Sequence, residues 1–114
     1  HLKNWSLRYA DPYAPRLSPA YDLLSATAYR AFHRNPLTLS IAEQADMRYI
    51  SRDHFRRFAE SLDLDTSLVL NVIDEAVANL RDTLPTVAEA AGAPDFLVAH
   101  LQGRLNQLPL LRDA

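Results

Sequence analysis

Asp65 to Leu84 reads D-T-S-L-V-L-N-V-I-D-E-A-V-A-N-L-R-D-T-L, and this stretch decides the fold class. Its apolar residues are Leu68, Val69, Val72, Ile73, Ala76, Val77, Leu80 and Leu84. They recur every three to four positions, the period of an α-helix. The apolar arc is wide, which predicts a central core helix. Asp65 or Thr66 caps its start, because either side-chain oxygen can accept from the first free backbone N–H groups. Pro85 has no N–H to continue the ladder and predicts an end or a bend there.

The same period extends on both sides. Ser51 is a good N-cap for a helix over Arg52 to Leu62, whose Phe55, Phe58, Ala59 and Leu62 form one stripe. Thr86 to Ala91 predicts a helical turn closed by Gly92. Pro94 suits the start of a last helix, where Leu97, Leu101, Leu105 and Leu108 line one face until Pro109. The tail beyond Pro109 is expected to fray.

Residues 1–50 have a different character. They contain four of the seven prolines. Trp5, Leu7 and Tyr9 alternate with Ser6 and Arg8, the period of a half-buried strand. Ala10 to Pro15 reads as a turn, and Arg16 to Ser18 as a short return strand stopped by Pro19. An antiparallel hairpin of this kind brings Asn4, before one strand, close to Asp22, after the other. Trp5, Tyr9 and Tyr21 read as packing residues. Asp22 to about Phe32 is compatible with a short helix. Leu37, Leu39 and Ile41 give another short strand signal, and Glu43 to Tyr49 reads as a loop. The expected fold is mainly α. It is one unit over residues 1–114, with an irregular segment 1–50 and a helical subdomain 51–114.

The 114 residues carry 48% hydrophobic and 23% charged side chains, and this balance suits one globular core. The net charge of -2 supplies no basic field for nucleic acid or an acidic membrane. With no cysteine, disulfides and thiolate metal sites are excluded. No apolar run approaches the length of a membrane span, and the expected location is cytoplasmic. Gly92 and Gly103 are the only glycines, so the stretch contains no glycine-rich phosphate loop. His33, His54 and His100 lack metal-ligand spacing. Arg52, Arg56 and Arg57 with His54 read as a solvated helix face. Neither Asp11, in a turn, nor Asp53, in a first helical turn, is assigned chemistry.

The chemistry is concentrated in His1 to Asp22: H-L-K-N-W-S-L, then R-L-S-P-A-Y-D-L-L-S. An amide oxygen at Asn4 and a carboxylate at Asp22 are the hard donors that Mg²⁺ prefers. Alone, each is also an ordinary turn or capping residue. Together the two runs resemble the catalytic loop, hairpin and metal-binding aspartate of the kinase fold. More closely, they resemble the HipA family of toxin kinases, whose loop reads D-x-H-x-K-N followed by an aromatic and Ser. The family's metal aspartate lies in P-x-Y-D-L/I-x-S. His1, Lys3, Asn4, Trp5 and Ser6 fit the first pattern, and Pro19, Tyr21, Asp22, Leu23 and Ser25 fit the second. The similarity continues through Leu37 to Ile41 and Ile50 to Phe55 into the helices.

This resemblance implies the last part of a kinase C-lobe, from an enzyme that transfers the γ-phosphate of ATP to a protein serine or threonine with Mg²⁺. Asp22 and Asn4 would then hold the metal and nucleotide phosphates. Lys3 would lie near the transferred phosphate, and His1 would orient the loop. The catalytic aspartate would precede residue 1, and the 114-residue stretch alone is expected to be inactive. The implied partners are a protein substrate, with an aminoacyl-tRNA synthetase among the family's target class, and a DNA-binding antitoxin. Two rival readings are a small-molecule phosphotransferase of kinase fold and a free-standing helical interaction module.

Overall fold

The computed structural model describes residues 4–113. His1 and Lys3 lie outside the described residues. Two short strands, β1 (Leu7–Arg8) and β2 (Arg16–Leu17), precede two 3₁₀ turns at Ala26–Ala28 and Arg30–Phe32. Four helices follow: α1 (Arg52–Ser61), α2 (Thr66–Ala90), α3 (Asp95–Gln107) and α4 (Pro109–Arg112). The protein is therefore mainly helical, with one small antiparallel hairpin at its N-terminal edge.

Helices α1 and α2 form the main packed pair. Ser51 and His54 make a reciprocal capping box at the start of α1. The α1 helix ends in a Schellman motif: Leu64 N–H donates to Ala59 O and Asp63 N–H to Glu60 O, with Asp63 at φ 52. Asp65 caps α2 by accepting from the N–H groups of Ser67 (2.9 Å) and Leu68 (3.1 Å). Ala59 of α1 and Val77 of α2 are buried, and Arg52 pairs with Asp74 across the two helices.

The α2 helix departs from expectation in two ways. It does not stop at Pro85 but continues to Ala90. Proline removes one hydrogen bond, while burial of Ala88 and a Schellman closure beyond it favour continuation. That closure runs from Gly92 N–H to Glu89 O and from Ala93 N–H to Ala88 O, with Gly92 at φ 60. Second, only part of the apolar arc is covered. Val69, Ile73, Val77 and Leu84 turn inward, whereas Leu68, Val72, Ala76 and Leu80 are exposed. The helix is one-sided rather than central.

Helix α3 packs on the first 3₁₀ turn and on α4. Tyr29 meets Phe96 edge to face at 6.0 Å, and the Thr27 hydroxyl lies 3.0 Å from His100 Nε2. The tail after Pro109 is not frayed. It forms α4, held by Arg81, whose guanidinium donates to the carbonyl oxygens of Leu105 (3.0 Å) and Leu111.

Other expectations are corrected by the packing. Asp22 to Phe32 forms two 3₁₀ turns rather than a helix. Leu37 to Ile41 is not a strand: it has no neighbouring ladder beyond one Ile41–Gln44 bridge. Leu62 is the exposed C-cap of α1, not part of its buried stripe. The hairpin is not half-buried, since Trp5, Leu7, Tyr9, Leu17 and Tyr21 are all exposed.

These exposures add up to a thin core. The chain exposes 8681 Å², against about 6,300 Å² expected for a compact monomer of its mass. Among the described residues, no large side chain is fully buried. Much apolar surface on the hairpin and on α2 is therefore uncovered in this arrangement.

Candidate functional site

The site is built by the hairpin. Leu7 opposes Leu17 and Arg8 opposes Arg16. Ser18 N–H donates to Ser6 O at 2.8 Å, which extends the closure toward the open end. At the tip, Asp11 accepts from Tyr13 N–H at 2.9 Å, a local turn that a proline-rich tip favours. Asp11 therefore has a structural task. Beyond the strands, the Ser6 and Tyr21 hydroxyls are 2.9 Å apart. One step further out, Asn4 Nδ2 donates to Asp22 Oδ2 at 2.8 Å.

The expected convergence of Asn4 and Asp22 is thus present across eighteen sequence positions. Asp22 adopts φ 54, a left-handed conformation that Asp tolerates better than most residues. Asp22 is exposed and Asn4 half-buried, so the pair has access to an incoming ligand. The donor set suits a hard cation that keeps open positions: one carboxylate and one amide. To bind a cation, the Asn4 amide would present its oxygen in place of its Nδ2, a rotation that exchanges two nearly isosteric ends. No cluster of three or more His, Cys, Asp or Glu ligands occurs among the described residues. An ion at this pair would leave coordination positions open for phosphate or water oxygens, the usual situation for Mg²⁺.

Arg8 and Arg16 flank the pair's hairpin and line a cleft of about 440 Å³ with Asp11. Two guanidiniums directly opposite each other repel, and they make this face of the hairpin positive. The Ser6–Tyr21 bond was not anticipated, since Tyr21 was assigned to packing. Its signal was the motif itself, which contains both residues.

The remaining sequence candidates are accounted for elsewhere. Asp53 accepts from Arg56 and Arg57, and Arg56 also reaches Glu60 at 2.7 Å. The Arg56 hydrogen bond is the main cause that lowers the Asp53 carboxyl from its ordinary range. The arginines of α1 are thus answered by Asp53 and Glu60 of the same helix and by Asp74 of α2. His54 caps α1 and His100 meets Thr27. No described helix is long and apolar enough to cross a membrane.

Comparison with known proteins agrees with the motif reading. The profile of the HipA-like C-terminal domain family matches residues 1–84. The protein named "Putative kinase Y4dM" of Sinorhizobium fredii (strain NBRC 101917 / NGR234) is 35% identical over 102 residues. The match covers 83% of this chain and 25% of that relative, so the chain spans about a quarter of its length. Comparison with solved structures gives no significant match.

Proposed function

The chain belongs to the HipA-like C-terminal domain family, and from that premise we propose that it supplies the metal-holding hairpin of an ATP-dependent serine/threonine protein kinase. The carrying observation is the 2.8 Å approach of Asn4 to Asp22 at the mouth of the hairpin. Family membership supports the kinase reading, as does similarity to a relative named as a kinase.

In this reading Asp22 and Asn4 hold Mg²⁺ against the nucleotide phosphates. The bound ion supplies charge neutralisation for phosphoryl transfer. Asp22 contributes the anionic oxygen, and the left-handed backbone aims it toward Asn4. Asn4 contributes a neutral oxygen, so the pair leaves net positive charge on the ion for phosphate. The Ser6–Tyr21 bond fixes the two segments that carry these ligands. Arg8 and Arg16 add positive potential for an anionic substrate. By the family motif, Lys3 would serve the transferred phosphate and His1 would orient the loop. Residues 1–114 contain no glycine-rich phosphate loop, and by themselves they transfer no phosphate. The phosphate acceptor is a protein serine or threonine.

The test uses the intact protein, with γ-phosphate transfer and Mn²⁺ binding measured side by side. Asp22→Asn keeps the backbone tolerance and removes the charge. It is expected to lower transfer on the order of 10²-fold or more and to weaken Mn²⁺ binding. Unchanged transfer in a folded Asp22→Asn protein would overturn the assignment.

A further inference from the structure

The two 3₁₀ turns, Arg48 and one face of α3 enclose a cleft of about 850 Å³. Its walls carry Arg30, His33, Arg34, Arg48, His100 and Arg104. No residue of the Asn4–Asp22 hairpin contributes to it. Four of the chain's eleven arginines thus meet in one concavity of a protein whose net charge is -2.

The charges there are poorly answered. Arg48 is engaged by Asp46 at 2.5 Å. Asp46 also feels Arg104, so its carboxylate counts against the cleft. Arg30 and Arg34 take part in no ion pair among the described residues. Arg104 donates to the His33 carbonyl oxygen at 3.4 Å. Burial, and then the Arg104 charge, holds His100 below its ordinary pKa. Gly103 lies on the same wall, and a Cβ placed there would meet nothing within 4 Å. The space beside Gly103 is therefore open.

We propose that this cleft binds a compact phosphate-bearing anion of at least two negative charges, held by Arg30, Arg34 and Arg104. A guanidinium fork pairs with two oxygens, and three forks that form no ion pair among the described residues match the several terminal oxygens of a phosphate monoester or diphosphate. A single carboxylate would answer only one fork. The volume lies in the range of small-ligand sites. An extended nucleic acid backbone would need a basic track running beyond the cleft, and the acidic chain offers none. The site stands independently of the metal pair.

The intact protein is titrated calorimetrically with inorganic pyrophosphate and, separately, with a phosphoserine peptide, both without divalent cation. Binding of pyrophosphate alone assigns a free or nucleotide phosphate; binding of the peptide assigns a phosphorylated side chain. Either result supports the site, provided that Arg30→Gln with Arg34→Gln weakens binding by about tenfold or more. Gly103→Asp, which places a carboxylate in open space, should do the same with the melting temperature preserved. Asp22→Asn should leave binding unchanged, which separates this site from the proposed kinase centre. Absence of binding by both probes at millimolar concentration overturns the proposal, as does equal binding by the arginine variants.

Discussion

Asn4 and Asp22 touch at 2.8 Å although only two residue pairs of strand connect their segments. So short a ladder does little to enforce the meeting, and the Ser6–Tyr21 bond reinforces it from the adjoining position. Replacing the neutral partner by a second carboxylate should expose what the pair is suited to hold. In Asn4→Asp, two like charges at this distance oppose each other. The variant should melt below the wild type in the absence of divalent ions and recover in Mg²⁺ or Mn²⁺. Thermal unfolding with and without the ion checks this, and an ion-independent deficit would remove the pair as a cation site.

The hairpin and the approach of Asn4 to Asp22 were legible because turn chemistry and a paired motif specify them locally. The helices were legible from their period. What covers a helix was not: apolar spacing in α2 marks a face as apolar but says nothing about whether a neighbour lies on it. Of the end or bend that Pro85 suggests, the end does not occur, because its local cost is set against closure at Gly92, several residues on. The arginine cleft was invisible, since Arg30, Arg48 and Arg104 come together only through packing of α3 on the 3₁₀ turns. Ser51, Asp65 and Gly92, by contrast, act within their own turns and stand where their chemistry suggests.

Arg48 and Asp46 give a prediction about pH. Hydrogen bonds from the Arg48 side chain, and then from its backbone N–H, hold the Asp46 carboxyl down to about 2. A carboxylate depressed in the folded state contributes stability above its unfolded pKa, which is lost as pH falls through the folded value. The window here runs from about 4 down to about 2. Arg48→Gln should return the Asp46 titration toward the ordinary carboxylate range, as read by NMR of the side-chain carboxyl. It should also flatten the acid limb of stability in that window.

The two Schellman closures predict opposite responses to substitution. Asp63 and Gly92 occupy equivalent left-handed positions after α1 and α2, at φ 52 and φ 60. Only glycine adopts that region without steric cost. Asp63→Gly should therefore stabilise the protein by about 0.5–1 kcal/mol, whereas Gly92→Ala should destabilise it by about 1 kcal/mol or more. Denaturant midpoints at constant slope measure both. Equal signs would mean that the closures are not held as described.

The turn between Ile41 and Gln44 carries more strain. Ala42 and Glu43 both have positive φ, at 46 and 67, as the central pair of a type I′ turn requires. The ends are tied by two reciprocal bonds, Ile41 N–H to Gln44 O (2.9 Å) and Gln44 N–H to Ile41 O (3.0 Å). Neither alanine nor glutamate favours this conformation. Asn-Gly does, so Ala42→Asn with Glu43→Gly should raise stability by about 1–2 kcal/mol without altering the neighbouring bonds. A loss of stability would show that the turn has another geometry in solution.

The uncovered stripe of α2 supplies the last prediction. Leu68, Val72 and Leu80 are exposed at 62%, 57% and 41%, so a charge at the first two can reach solvent without entering the core. Leu68→Glu with Val72→Glu should change the unfolding free energy of residues 1–114 by no more than about 0.5 kcal/mol. The same change should reduce self-association, because contiguous apolar surface drives nonspecific contact in water. If the stripe is covered when the chain is part of a larger assembly, the pair of substitutions should instead lower stability there by several kcal/mol, on the order of two buried apolar side chains. Unfolding of residues 1–114 and of the intact protein, measured in parallel, separates a solvent-facing helix from one that is incomplete without its neighbour. A large loss in residues 1–114 alone would contradict the exposure of the stripe.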